Sequence, residues 1–232
     1  MAIAHYYHVW AGGAWAPPCN EHDRALSETG FPVKPLCGVT GPPQDRAVFA
    51  QWAHEHGWEI VIEADEGWEQ LTLCELRRWA RLDPVASTVL YMHAKGSRHD
   101  LHGTNTAWRR EMTKRLIGEW GLIQMLLLNH DAVGCCWRNA AEFYPHMKHG
   151  NGMFAGNFWW STRYFLATLP PLEHRTAGDA ECWIGQGSPD VIDMLPSWPL
   201  HTLVDGQVLA AHPQHADTSG RAPVQPGPAH KR

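Results

Sequence analysis

Short apolar runs alternate with stretches of helical period from the N-terminus to residue 169. Runs of six to eight mostly apolar residues predict strands at 5–10, 33–39, 59–64, 85–92, 132–137 and 153–158. Between them, apolar residues three or four positions apart predict helices at 20–29, 44–56, 68–82, 105–129 and 161–169. Strands that alternate with helices imply right-handed crossovers. We therefore predict an α/β fold whose mainly parallel, Rossmann-like sheet is flanked by helices.

The pattern weakens after about residue 172. A short helix is predicted at 177–185, and a β-hairpin at 201–209 that turns at Asp205-Gly206. Residues 212–232 are rich in Pro, Gly and His and have no apolar period, which predicts a disordered tail. A chain of 232 residues suits one sizeable domain, so we predict a single domain over 1–211 followed by the tail.

Composition indicates an ordinary soluble protein, with 44% hydrophobic and 19% charged residues. The net charge of −5 excludes a global basic field that would hold a polyanion, although it leaves room for a local basic patch. The six cysteines form no C-x-x-C pair, which favours buried thiols in a reducing compartment. No signal peptide or membrane-spanning run is evident, so we expect a cytoplasmic protein, in a bacterial cell or a phage-infected host.

Polar residues follow the strand at 85–92, in the order His93-Ala94-Lys95-Gly96-Ser97. The carboxyl ends of parallel strands are where an open α/β sheet binds its ligands. A Lys beside a Gly suits a phosphate, because the Gly lets the backbone approach and the ammonium balances the charge. His93 suits a metal, a phosphate or a structural role in the loop.

A second break in the pattern is Gly156-Asn157-Phe158-Trp159-Trp160, in a chain with 13 tryptophans. Asn157 offers a donor and an acceptor to a sugar hydroxyl pair, and Trp159 or Trp160 offers a face on which a sugar or base could stack. The alternative is a core strand whose aromatic rings pack against helices, although a core of that kind leaves Asn157 in need of a partner.

Charged residues downstream supply the other candidates. Asp179 and Glu181 are the best sources of a catalytic base, and the alternative is that they complement a helix dipole. The stretch 95–115 is basic and includes Trp108-Arg109, which suits either a solvated helix face or contact with a diphosphate or a nucleic-acid backbone. The motifs of P-loop nucleotidases, classical dehydrogenases, α/β-hydrolases and zinc peptidases are absent from the sequence.

The order of these motifs resembles that of small GT-A-like glycosyltransferases from bacteria and their phages. The resemblance covers roughly residues 85–186. It rests on a His-x-Lys-Gly strand end, a helix that opens with Trp-Arg, a Gly-x-x-Trp strand, an Asn-Phe-Trp-Trp block and an acidic residue before Trp-Ile. In this chain the matching residues are His93 to Gly96, Trp108-Arg109, Gly134 to Trp137, Gly156 to Trp160, and Glu181 to Ile184.

The resemblance implies a GT-A-like domain that transfers a sugar from a nucleotide-sugar donor, with a UDP-sugar as the expected donor. It implies a base at Glu181 or else Asp179. By the same analogy Gly156, Asn157, Trp159 and Trp160 would contact the donor sugar or the acceptor. The acceptor would be a hydroxymethylated pyrimidine in phage DNA or a glycan. The nucleotide and its diphosphate would then be held by Trp10, Ala11, Gly12, Asp65, Glu66, His93, Lys95, Gly96 and Arg109.

The chain departs from most GT-A enzymes at their Asp-x-Asp metal motif, where it has His93-Ala94-Lys95. Two alternatives follow: cationic side chains stabilise the leaving group without metal, or His93 joins Asp100 and His201 in binding Mn²⁺ or Mg²⁺. A non-catalytic carbohydrate- or nucleotide-binding module would explain the tryptophans equally well. A metal-dependent hydrolase is the third alternative, and it would need histidines that converge in space.

Overall fold

The structure is a computed structural model that describes residues 2–82, 87–95, 97, 104–144, 152–172, 177–196, 202–204 and 207–209. The chain divides into two compact units, Met1–Trp198 and Pro199–Arg232. None of the helices in the described part of the chain has the length and apolar character needed to cross a bilayer.

The first half of the larger unit is a regular succession of strands and helices. Its strands are β1 (Ile3–Trp10), β2 (Leu36–Thr40), β3 (Glu59–Ala64) and β4 (Thr88–His93). Its helices are α1 (Ala16–Glu28), α2 (Pro43–His56) and α3 (Gln70–Leu82). These elements confirm the predicted alternation and lie within a few residues of the predicted bounds.

The second half of this unit has shorter elements. Its helices are α4 (Thr104–Leu116), α5 (Trp120–Leu126), α6 (Ala140–Phe143), α7 (Arg163–Thr168), α8 (Ala177–Cys182) and a 3₁₀ helix at Ile184–Gly187. Its strands are β5 (Ala132–Gly134), β6 (Trp137–Arg138), β7 (Met153–Phe154), β8 (Trp159–Thr162) and β9 (Val191–Asp193). The smaller unit contains an antiparallel hairpin of β10 (Thr202–Val204) and β11 (Gln207–Leu209), as predicted, whereas the predicted tail lies outside the described residues.

Seven strands form the main sheet in the order β3-β2-β1-β4-β8-β5-β9. Strand β8 is antiparallel to its neighbours β4 and β5, and the other pairs are parallel. The order of the first four strands is that of a Rossmann fold, which confirms the predicted mainly parallel sheet flanked by helices. Strand β4 runs through the middle, and its residues from Thr88 to Met92 are buried, as expected for a strand with both faces covered.

The predicted helix at 105–129 is instead two helices, α4 and α5. The indole Nε1 of Trp160 donates to the backbone carbonyl of Leu116 at 2.9 Å, and this is the carbonyl that Trp120 would use in a continuous helix. Gly118 follows at the break, where a Cβ would lie 2.3 Å from the carbonyl oxygen of Lys114. The helix therefore ends because a side chain from the sheet takes its hydrogen-bond acceptor.

The predicted strands at 132–137 and 153–158 are also wrong in their second halves. Cys136 has a left-handed backbone (φ 62°), and Asp193 accepts hydrogen bonds from the backbone N–H of Cys136 and of Trp137 at 2.7 and 2.8 Å. The chain leaves the main sheet there, and β6 pairs with β7 in a separate two-stranded sheet. The strand that enters the main sheet is β8, which begins at Trp159.

Two buried histidines, His5 of β1 and His22 of α1, meet where the helix packs against the strand. The Nε2 atoms of His5 and His22 are 3.1 Å apart, and the rings are surrounded by Tyr7, Trp58 and Phe31. Burial lowers the pKa of His5 to about 3 and holds the pKa of His22 well below its usual value of 6.5. Both rings are therefore neutral in the folded protein at any pH near 7.

We expect the free energy of unfolding to fall as the pH is lowered from 7.5 to 5.5. Below about pH 6.5 the unfolded chain binds protons at histidines that stay neutral when folded, so acid favours unfolding. Well below that pH each such histidine contributes roughly 1.4 kcal/mol per pH unit. Urea unfolding at the two pH values measures the effect.

A His5→Leu/His22→Leu variant should lose less stability over the same pH range, whatever its stability at pH 7.5. Replacement of the exposed His54 by Gln serves as the matched control and should leave the pH dependence of unfolding unchanged. An unaltered pH dependence in the double variant would show that the buried pair is not the source.

Candidate active site

The carboxyl ends of β1, β2 and β4 lie side by side because the strands are parallel and in register. His8 of β1 is opposite His93 of β4, and Trp10 is opposite Thr40 of β2. The loops that follow are joined by backbone hydrogen bonds, from Ala11 N–H to the Thr40 carbonyl at 2.7 Å and from Ala14 N–H to the Ser97 carbonyl at 2.9 Å. The breaks in the sequence pattern therefore meet at one edge of the sheet.

The loops after β1 and β3 hold the residues predicted to contact a nucleotide. Trp10 is half-buried and Gly12 is exposed, with the position of a Gly12 Cβ 3.0 Å from the Trp10 ring. Arg46 of α2 forms an ion pair with the exposed Asp65 and donates to the Gly41 carbonyl at 2.9 Å. Ala11 is buried, and its contact with a nucleotide stays a prediction.

The loop after β4 brings a cation to the same edge. The ammonium of Lys95 lies over the indole ring of Trp108, 4.2 Å from the ring centroid. Gly156 packs against both, because a Cβ there would lie 3.1 Å from the Trp108 ring and 3.3 Å from Lys95 Cε. Gly96, which the sequence also places here, lies outside the described residues.

His93 is part of the structure of this loop. Its Nε2 donates to the carbonyl oxygen of Gly156 at 2.9 Å, and its Nδ1 lies 3.3 Å from Oε1 of Glu69. Burial and the positive charge of Lys95 lower the pKa of His93 to about 3. The hydrogen bond to the Gly156 carbonyl raises the pKa of His93, but by less than burial lowers it.

The structure describes only one of the three predicted metal ligands, His93, so the metal site stays a prediction. The described residues contain no group of three His, Cys, Asp or Glu side chains placed to hold an ion. Both nitrogens of His93 face protein oxygen atoms, and Asp100 and His201 lie outside the described residues. We therefore assign no step to a metal.

Arg109 has protein partners on two sides. It donates to Glu21 of α1 at 2.9 Å and to the backbone carbonyl of Lys95 at 2.6 Å, and its side chain is buried. Arg110 also pairs with Glu21, at 2.7 Å. Arg109 thus anchors the backbone of the Lys95 loop to α1, and direct contact with a diphosphate stays a prediction.

Trp159 and Trp160 are fully buried, with 0% of their surface exposed. The indole of Trp159 donates to Asn157 Oδ1 at 2.7 Å, and that of Trp160 donates to Leu116. Neither ring offers a face to a ligand, so we assign both to the core instead of to a substrate site. Successive side chains of a strand point to opposite faces, and both faces of β8 are buried. This explains why two neighbouring residues, Trp159 and Trp160, can both lie in the core.

Asn157 is buried and has the partner that a buried amide requires. It adopts a left-handed backbone (φ 55°) after Gly156 (φ 85°), and its Nδ2 donates to Oε2 of Glu69 at 2.7 Å. The side chain is therefore used to hold the turn. Contact between Gly156 or Asn157 and a substrate remains a prediction.

Glu181 of α8 is a carboxylate within the electrostatic influence of Lys95. Burial and the nearby Glu69 raise its pKa, whereas the Lys95 charge and a 3.0 Å hydrogen bond from the Tyr144 hydroxyl lower it, and the net pKa lies above the usual value of 4.5. Part of the Glu181 side chain is exposed, whereas Asp179 is buried. Of the two predicted bases, Glu181 is thus the better placed to receive a proton from a ligand.

Three side chains of this site were missed in the sequence: Glu69, Tyr91 and Tyr144. Glu69 is one of several acidic residues between β3 and α3, and nothing in its local pattern separates it from Asp65 or Glu66. Tyr91 looks like one more apolar residue of β4. Only spatial proximity identifies all three.

Replacement of Gly156 by Ala should lower the free energy of unfolding more than replacement of Gly57 by Ala. Both glycines have a left-handed backbone, at φ 85° and 71°, so each substitution costs about 1 kcal/mol of backbone strain. A Gly57 Cβ would meet nothing within 4 Å, whereas a Gly156 Cβ presses on Trp108, which should add roughly 1 kcal/mol. Equal losses in urea unfolding would contradict the tight contact.

The sequence matches a family described as a domain of unknown function (DUF8361) over residues 42–186. No curated protein matches it. Solved structures to which this chain is similar include TarS of S. aureus, in a crystal structure of its residues 1–349 (9% identity, TM-score 0.45, 83% of this chain and 59% of that chain) and in another crystal structure of TarS (9% identity, TM-score 0.43, 84% and 36%).

A third is the 4-diphosphocytidyl-2C-methyl-D-erythritol synthase from Anaerococcus prevotii (11% identity, TM-score 0.40, 78% of this chain and 81% of that chain). The chain thus spans less than two thirds of the length of either TarS structure. At these identities and TM-scores the likenesses say nothing about activity. The family match covers more than half of the 232 residues, and the chain therefore belongs to the DUF8361 family.

Proposed function

We propose that this protein is a glycosyltransferase that moves a sugar from a nucleotide-sugar donor, expected to be a UDP-sugar, to an acceptor hydroxyl. The observation that carries the proposal is a carboxylate, Glu181, that accepts a hydrogen bond from Tyr144 and whose pKa is influenced by the Lys95 ammonium at the carboxyl end of β4. The raised pKa of Glu181 suits a base, and the ammonium suits a departing diphosphate. The resemblance of the motifs to GT-A-like glycosyltransferases supports the same function.

In the proposed reaction the acceptor oxygen attacks the anomeric carbon of the donor. Glu181 takes the proton of that hydroxyl, while the bond between the anomeric carbon and the diphosphate oxygen breaks. The nucleoside diphosphate leaves with the bonding electron pair, and Lys95 compensates its charge. The edge formed by Trp10, Gly12 and Asp65 would hold the nucleotide.

The charges of α4 favour a glycan acceptor over a modified pyrimidine in phage DNA. Arg110 pairs with Glu21, and Arg115 pairs with Glu111 and Glu119 of its own helical region. Part of the positive charge of the basic stretch is therefore compensated, and non-specific binding to DNA depends on uncompensated positive charge.

Replacement of Glu181 by Gln should reduce transfer by roughly 100-fold to 10,000-fold, because the acceptor proton loses its base. Nucleotide binding should persist, since the change leaves Lys95 and the nucleotide-binding edge intact. The measurements are sugar transfer to hydroxyl acceptors and thermal shift with UDP and UDP-sugars, with and without Mn²⁺. Replacement of the exposed Glu142 by Gln is the matched control and should leave transfer unchanged.

The same experiments separate the enzyme from a non-catalytic module. A protein that binds UDP-sugars but shows no turnover with any acceptor, in either the unaltered chain or the Glu181→Gln variant, would be a binding module. Absence of a thermal shift with every nucleotide would count against the glycosyltransferase. In the active enzyme, the rate should rise with pH through a pKa above that of an ordinary glutamate, because only the ionised Glu181 accepts a proton.

A further inference from the structure

The carboxylate of Glu69 contacts two side chains of β4, Tyr91 and His93, and one side chain of the turn that joins β7 to β8, Asn157. Its Oε2 accepts hydrogen bonds from the Tyr91 hydroxyl at 2.8 Å and from Asn157 Nδ2 at 2.7 Å. Its Oε1 lies 3.3 Å from His93 Nδ1. Only 12% of the Glu69 side chain is exposed, so the two hydrogen bonds to Oε2 are made largely out of water, where bonds to a charged acceptor are strong.

Two of these contacts lead to the same turn. Glu69 holds Asn157 directly, and His93, which Glu69 contacts, donates from Nε2 to the carbonyl oxygen of Gly156 at 2.9 Å. The turn has two successive left-handed residues, of which Asn157 is not a glycine and costs energy in that conformation. Bonds from outside the turn are what keep such a conformation in place.

The Gly156–Asn157 turn also contacts Lys95, the cation of the site. Gly156 lies against the ring of Trp108 and the side chain of Lys95, close enough that even a methyl group would crowd them. A shift of the turn would therefore move the surface on which the Lys95 ammonium rests. Glu69 itself is too enclosed by its three partners to serve as the base.

We infer that Glu69 is a positioning residue: through His93 and Asn157 it fixes the Gly156–Asn157 turn, and through that turn it sets the place of Lys95. The inference rests on the proposed function insofar as Lys95 is taken to meet the diphosphate. The contacts of Glu69 with His93 and Asn157 can be tested without any nucleotide.

Replacement of Glu69 by Gln keeps the size of the side chain and removes its charge. We expect affinity for UDP, measured by titration calorimetry, to fall about tenfold, as expected when hydrogen bonds to a buried charge are weakened. The matched control is Glu75→Gln on α3, whose carboxylate pairs with the exposed Arg78. It should change UDP affinity less than about twofold, because exposed ion pairs contribute little.

Nuclear magnetic resonance of the ¹⁵N-labelled histidine rings gives a readout that needs no nucleotide. The His93 signals are assigned by their loss in a His93→Gln variant. Glu69→Gln should shift the Nδ1 signal of His93, whereas Glu75→Gln should not. A merely stabilising role for Glu69 elsewhere in the fold would leave this ring unaffected.

A reciprocal exchange tests the direct bond to Asn157. Asn157→Asp would place a second carboxylate next to that of Glu69, where the two side chains are now 2.7 Å apart. The repulsion between the two charges should destabilise the protein. Adding Glu69→Gln should recover stability, because the introduced amide then donates to the introduced carboxylate. A double variant no more stable than Asn157→Asp alone would contradict the contact.

The outcomes separate the two proposals. If the unaltered protein binds no UDP, the proposed function fails, and the histidine signals and the exchange of residues 69 and 157 still decide the role of Glu69. If UDP binds as tightly to a folded Glu69→Gln variant as to the unaltered protein, and the His93 signals are unchanged, the positioning role is overturned while the glycosyltransferase proposal stands.

Discussion

The left-handed turn at Gly156 and Asn157 is the constraint on which the arrangement of the site depends. It reverses the chain after the short strand β7, so that β8 enters the main sheet between β4 and β5 in the opposite direction to both. That insertion buries Trp159 and Trp160 in the core. It also sets the start of β8 beside the carboxyl end of β4, where the candidate active-site residues lie.

Buried polar groups on this edge are placed so that almost every one meets a partner of complementary chemistry. Glu69 contacts Tyr91, His93 and Asn157. Asp193 accepts hydrogen bonds from backbone N–H groups at Cys136, where the chain leaves the main sheet. Such networks are costly when one member is missing, since a buried donor or acceptor is then left without a bond. Glu181 and Lys95 are both partly exposed.

Much of the fold was predictable from local pattern. Strands β1 to β4 and the helices between them follow from apolar period and glycine or proline breaks, because each of these elements buries one face or stripe along its whole length. The polar residues at 93–97 also marked the site, since parallel strands end together. The helix break after Leu116 was not predictable, because its cause is an indole from β8, more than forty residues away.

The order of polar and apolar residues was enough to specify an α/β fold and to indicate the edge of the sheet that carries the candidate active site, because burial imposes its period directly on each strand and helix. The direction of β8, the burial of its tryptophans and the role of Glu69 depend on contacts between residues that are far apart in the chain. Asn157 and Glu69 are 88 positions apart, and no local period can encode a hydrogen bond of that kind. Only the packed fold selects Glu69 from the other acids of its loop.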